Sequence, residues 1–95
     1  MTKEGFLEFL ESGEVDEDAL FFGSHDNPEY YNALLGVSDG NLVYPYKGIV
    51  EFLMERDGMT DEEAIEFTDY NVVGAYMGPK TPMVVYDMYL EEIYG

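Results

Sequence analysis

Apolar and polar positions along this chain follow first a helical period, then an extended one, then a helical one again. Phe6, Leu7, Phe9 and Leu10 fall on one stripe, and Glu4, Glu8 and Glu11 on another. Thr2 can cap this first helix, which is predicted to run to about Ser12 before Gly13 ends it. After the acidic run Glu14, Asp16, Glu17 and Asp18 comes the apolar patch Ala19-Leu20-Phe21-Phe22, which suits either one helical turn or a short extended piece. Gly23 to Pro28 has loop chemistry. Two short apolar runs, Ala33–Val37 and Leu42–Tyr46, flank Ser38-Asp39-Gly40-Asn41, and an Asp-Gly pair in that position signals a hairpin. Pro45 fits only an edge strand or the exit of a strand.

Helical spacing returns at Lys47–Arg56, with Ile49, Val50, Phe52 and Leu53 on one face and Asp57-Gly58 as a stop. Thr60-Asp61-Glu62-Glu63 is a capping box for a third helix reaching about Asn71, with Ala64, Ile65, Phe67, Thr68 and Val72 turned inward. Gly74 and Gly78-Pro79 break the chain, Pro82–Asp87 reads as a third strand, and Met88–Tyr94 as a short terminal helix. The expected fold is one α+β domain over residues 1–95, with a small, mainly antiparallel three-stranded sheet packed against two to three helices. Within it, residues 1–30 form an acidic helical part and residues 31–95 a hairpin-helix-helix-strand core.

Charge narrows the function. The 95 residues carry 21 Asp and Glu against 4 Lys and Arg, for a net charge of -17. Lys3, Lys47, Arg56 and Lys80 cannot form a basic surface, so direct nucleic-acid binding and docking on an anionic membrane are excluded. With no Cys there is neither a disulfide framework nor a thiolate site. The N-terminus lacks a signal-peptide pattern and no apolar run reaches membrane-spanning length, so a cytoplasmic location is expected. The chain is nonetheless 46% hydrophobic and 16% aromatic, unlike acidic disordered chains. Residues 1–30 hold nine of the acids and a single base, and are the more densely charged part.

Candidate catalytic chemistry is sparse. The one His, in Ser24-His25-Asp26, cannot form a triad with its own neighbours in the chain, and the carboxylates around it have no metal-ligand spacing. EF-hand registers fail: around Gly58 the first and twelfth positions are Leu53 and Ala64, and around Gly40 the first is Leu35. No Gly-rich phosphate loop is present. No catalytic residue, metal ligand or cofactor is assigned, and a non-enzyme is expected.

The charge itself is the remaining candidate. Helical carboxylates at i, i+4 and i+7 lie about 5–6 Å apart, comparable in density to the phosphates of B-DNA, which follow at about one per 3.4 Å of helix axis on each strand. Glu4, Glu8, Glu11, Glu14, Asp16, Glu17 and Asp18 are the expected partner-binding surface, with Glu62, Glu66 and Asp69 as a second strip. The matching partner is a basic nucleic-acid-binding protein. The alternative is an apolar surface rich in Tyr, including Tyr30, Tyr31, Tyr44, Tyr46, Tyr76, Tyr86, Tyr89 and Tyr94, in an accessory or structural protein or a homodimer, with the charge serving solubility.

The stretch Ala33–Tyr86 resembles a family of small, mostly uncharacterised proteins encoded by bacteriophages, prophages and related mobile elements. The resemblance is carried by Asp57-Gly58-Met59-Thr60, Glu62-Glu63-Ala64 and Tyr70-Asn71, within a pattern of apolar strand, Asp-Gly turn, Tyr-x-Tyr segment and helix. The family pattern often continues with an Arg and a Pro. This chain has Val72-Val73-Gly74-Ala75-Tyr76 there, so no role for that Arg carries over. The resemblance implies a phage setting inside a host cytoplasm and brings no established activity. Joined to the charge, it leads to the expectation of an inhibitor of host defence, similar to acidic anti-CRISPR or anti-restriction proteins that mimic nucleic acid.

Overall fold

A computed structural model describes residues 2–86. The terminal helix expected over residues 88–94, with Tyr89 and Tyr94, lies outside the described residues, as does Asp87. Helix α1 spans Lys3–Leu10, capped by Thr2, whose hydroxyl accepts from the Gly5 amide at 3.0 Å. It stops about half a turn short of the expected end, with Glu11 as C-cap. From Ser12 to Pro28 the chain is irregular apart from an isolated bridge between Gly23 and Pro28, so the Ala19–Phe22 patch forms neither a helical turn nor a paired strand.

The expected first strand begins later than its apolar run. Tyr31–Ala33 form a 3-10 turn and β1 covers only Gly36–Ser38. Strand β2, Asn41–Pro45, pairs antiparallel with β1 across a two-residue turn in which Asp39 and Gly40 both have positive φ, 52° and 81°. That is the turn Asp-Gly favours. Strand β3, Met83–Val85, pairs parallel with β2, Tyr44 opposite Val84. The fold is α+β, as expected, and the three-stranded sheet in the order β1-β2-β3 is mixed, with one antiparallel and one parallel pairing. Pro45 is the exit residue of the central strand and leads directly into a helix.

A parallel return requires a long crossover, here supplied by helices. Helix α2 covers Tyr46–Asp57 and ends at Gly58 in the left-handed conformation, φ 67°. Helix α3, Asp61–Phe67, starts at the expected capping box: Thr60 Oγ1 accepts from the Glu63 amide at 3.2 Å, and Glu63 Oε1 accepts from the Thr60 amide at 2.9 Å. It runs on as a π-helix over Thr68–Val73, past the expected end at Asn71. Ala64, Thr68 and Val72, spaced by four, all face the core. A spacing of four drifts around an α-helix of 3.6 residues per turn, and the wider π turn draws it back onto one line. Thr68 is fully buried and returns its hydroxyl hydrogen bond to Ala64 O at 2.7 Å. Ile65, expected to face inward, is 38% exposed, because it lies about 100° round the helix from Ala64 and outside that line.

One hydrophobic cluster joins the acidic N-terminal part to the rest. Phe6, Val15 and Phe22 pack in the same core as Tyr30, Tyr44, Ile49 and Leu53. Tyr30 adopts φ 60°, an uncommon conformation for a large side chain. Its ring is held edge-on by Phe22 at 5.8 Å and Phe52 at 5.3 Å. Tyr44 is also fully buried. Its hydroxyl lies near the Phe22 backbone without hydrogen-bonding geometry and has no partner among the described residues.

Candidate functional site

Each of the two predicted acidic surfaces mixes free and engaged carboxylates. Glu4 and Glu8 stand exposed on α1, and Glu11 is exposed at its C-cap. Phe6, wholly buried on the opposite side, fixes which face of this short helix meets solvent. Beyond Gly13, buried Val15 anchors the loop, and Glu14, Asp16, Glu17 and Asp18 are exposed around it. Glu4, Glu8, Glu11, Glu14 and Glu17 make no ion pair among the described residues.

Asp16 and Asp18 belong to a clamp. Lys80 Nζ lies 2.7 Å from Asp16 Oδ2 and 3.6 Å from Asp18 Oδ1. The backbone follows the same line: the Asp16 amide donates to Gly40 O at 2.9 Å and the Leu20 amide to Lys80 O at 3.0 Å. The Asp16 carboxylate rests against Gly40 where a Cβ would stand, so the hairpin turn requires glycine there for space as well as for its φ of +81°. Asp16 holds the Lys80 ammonium above the usual lysine range, and Asp18 adds to this. Of the seven predicted N-terminal acids, two therefore fasten this segment to the loop before β3 instead of standing free.

Between α1 and this loop is a cleft of about 360 Å³ whose lining includes Leu10, Val15, Phe21, Glu11, Glu17 and His25. His25 sets its ring edge-on to Phe21 at 5.2 Å. Among the described residues no group of three or more His, Cys, Asp or Glu is arranged to hold a metal ion.

The second strip divides in the same way. Glu62 and Glu66 are exposed on α3, whereas Asp69 accepts a 2.6 Å hydrogen bond from the Tyr46 hydroxyl. The Tyr46 ring packs on Tyr86 at 4.7 Å. Burial, with the Asp69 hydrogen bond, pushes the Tyr46 phenol up to about 12. Beside the π-helix, a groove of about 420 Å³ is lined by Met59, Glu63, Glu66, Phe67, Tyr70 and Asn71. A second groove of about 490 Å³ lies between α2 and α3, with Tyr46, Val50, Met54 and Ile65 in its lining. Glu63 is occupied by the capping box, whose hydrogen bonds hold its carboxyl below the usual range.

Three features escaped the residue pattern. Tyr70 is 83% exposed although it lies near the end of an amphipathic helix. Lys80 is a structural clamp across 64 positions. The single arginine is engaged inside the molecule: the Arg56 guanidinium lies 4.9 Å from the centre of the Phe52 ring, 3.2 Å from Glu29 and 2.9 Å from Asp57. The signal for the last two was the scarcity of bases itself. With 21 acids and four cations in the chain, a cation falling beside a carboxylate is the expected outcome, and Arg56 and Lys80 both do so.

No helix among the described residues is long and apolar enough to cross a membrane. Comparison with known protein families, with characterised proteins and with solved structures finds no match to this chain.

Proposed function

We propose that this protein is an acidic binding protein that occupies the nucleic-acid channel of a basic host protein and so inhibits it. The observation that carries this reading is a charge of -17 on a chain with a folded aromatic core, with Glu4, Glu8, Glu11, Glu14 and Glu17 exposed and unpaired among the described residues. Held in place, such carboxylates meet a basic channel without the ordering cost that a disordered acidic tail incurs. Attraction of this kind is long-ranged at low salt and weakens as the Debye length shrinks. In this reading Asp16 and Asp18 maintain the surface through Lys80, and Glu62 with Glu66 extend it. The partner is a defence protein that handles nucleic acid, and the resemblance of residues 57–71 to small phage proteins supports a phage setting within the host cytoplasm. The protein acts by binding, as an anti-CRISPR or anti-restriction inhibitor does, with no catalytic step.

The test is capture of host proteins at low and high salt, followed by displacement of DNA or RNA from the captured partner. Joint reversal of Glu4, Glu8 and Glu11 to Lys should weaken displacement by roughly tenfold or more at low salt. Unchanged displacement would sink the electrostatic reading.

A second reading has its own observation. Tyr70, Tyr76 and Tyr86 are 83%, 76% and 66% exposed, and Met77 is 55% exposed. Exposed tyrosines suit an accessory or structural phage protein that self-associates or binds through tyrosine. A dimer whose light-scattering mass is insensitive to salt would favour it over the decoy.

A further inference from the structure

The groove beside the π-helix combines a free carboxylate, an exposed ring and an apolar lining. Met59 and Phe67 are half-buried within it, whereas Glu66 and Tyr70 stand exposed. Glu66 makes no hydrogen bond or ion pair with the described residues, and Tyr70 makes no ring contact with them. The two lie four positions apart on one continuous helical segment, the spacing that brings side chains together on a helix face. Asn71 uses its amide nitrogen on Phe67 O at 3.3 Å, which leaves its side-chain oxygen as an acceptor. Ring, carboxylate and carbonyl oxygen are the groups that accommodate a planar cation.

The molecule already uses this chemistry once. Arg56 lies over the Phe52 ring and pairs with Glu29 and Asp57. We propose that the Tyr70–Glu66 groove receives an arginine side chain from a basic partner, its guanidinium stacked on Tyr70 and paired with Glu66, its aliphatic stem lying on Met59 and Phe67. The proposal rests on the basic-partner reading above and places a specific anchor beside the general electrostatic surface. A guanidinium suits the slot better than an ammonium, because it is flat, less strongly hydrated and can stack and pair at once. A second copy of this chain is a poor occupant. It brings another charge of -17, and its sole arginine is engaged in its own fold.

The test is a ¹H–¹⁵N titration of the full chain with three capped tripeptides, acetyl-Leu-Xaa-Leu-amide, where Xaa is arginine, lysine or citrulline. The arginine peptide should shift the amides of Met59, Glu66, Tyr70 and Asn71. It should bind roughly two- to five-fold tighter than the lysine peptide, and the citrulline peptide should lose the shifts. Tyr70→Ala should abolish the arginine preference, Tyr70→Phe should keep it, and Glu66→Gln should weaken the arginine peptide several-fold. The dispersion of each variant's spectrum reports its folding directly, and Tyr70→Phe retains the ring should Tyr70→Ala disturb the helix. Equal binding of arginine and lysine peptides, or a preference that survives Tyr70→Ala, overturns the slot. Shifts confined to the α1 row also overturn it while leaving the electrostatic reading standing. Salt-sensitive displacement of nucleic acid by the Tyr70→Ala variant separates failure of the slot from failure of the decoy.

Discussion

The α1 region and the α3 region each place acidic residues on a short capped helix, yet their carboxylates do different work. At α1, Glu4 and Glu8 make no ion pair among the described residues, and the helix is held to the molecule by buried Phe6 with Leu7, Phe9 and Leu10 beside it. At α3, Glu63 closes the capping box and Asp69, in the π-helix that follows, receives the Tyr46 hydroxyl, so two of the five acids there belong to the fold. The first region displays charge on a scaffold that the core supplies from beneath. The second spends charge to shape a helix whose π turn then exposes Tyr70. Acid count along a sequence is therefore a poor measure of the carboxylates a partner can bind, because those at Asp16 and Asp18 are paired with Lys80 and those at Glu63 and Asp69 are held by hydrogen bonds within the fold.

The comparison can be broken most severely at Phe6. Phe6→Ala should cost about 3–5 kcal/mol, a large share of what a domain of this size holds, since it removes a wholly buried ring that meets Phe21 at 5.6 Å. Urea denaturation followed by tyrosine fluorescence and by circular dichroism should show one coincident, earlier transition. Separate transitions would mean that the acidic segment is a detachable appendage.

At the other region, Thr60→Ala should cost about 1 kcal/mol by opening the capping box. The Glu63 carboxyl is held below its ordinary range, so its contribution is present at neutral pH and lost as pH falls through that lowered pKa. The stability gap between wild type and Glu63→Ala should therefore narrow in acid. A gap that is constant down to strongly acidic pH would remove Glu63 from the account.

Tyr44 lies beneath both regions and sharpens the comparison from the alkaline side. Removing its unpartnered hydroxyl by Tyr44→Phe should raise stability, by up to about 1 kcal/mol. Burial raises the Tyr44 phenol well above its ordinary value and pushes Tyr30 up to about 12. The unfolded chain ionises these groups near the ordinary tyrosine value of 10.0, so folding stability is fully present below that pH and declines as pH rises through it. Thermal melts in that range should fall less steeply for Tyr44→Phe than for wild type.

The smallest effect belongs to Lys80→Met, which frees Asp16 and Asp18. The melting temperature should drop at low salt and recover at high salt, because screening replaces the lost cation. A loss independent of salt would show that the lysine stem, and not its charge, holds the loop.

Local chemistry was legible wherever neighbours in sequence decide it. The Thr2 and Thr60 caps, the Asp39-Gly40 turn, the Gly58 stop and the inward Ala64, Thr68 and Val72 all depend on residues within a turn or two of one another. Element ends were less legible: the apolar run Ala33–Val37 became a 3-10 turn and only a short strand, because pairing with Leu42 and Val43 decides where β1 starts. The candidate site was half legible. Periodicity identified the acids on α1 and α3, but nothing near Asp16 or Asp69 in sequence announces Lys80 or Tyr46 as their partners.

By itself the sequence determined the charge of -17, the α+β class, the hairpin and the helix starts, since these follow from composition and short-range backbone preference. Only the tertiary structure decided that β3 runs parallel to β2, that Ile65 and Tyr70 face solvent, and that Asp16, Asp18 and Asp69 are already engaged. Those outcomes join residues 23 to 64 positions apart or depend on which helix face meets the core, and such pairings are set by packing of the whole chain. The exposed acid row on α1 and the Tyr70–Glu66 groove on α3 are what that packing leaves to solvent.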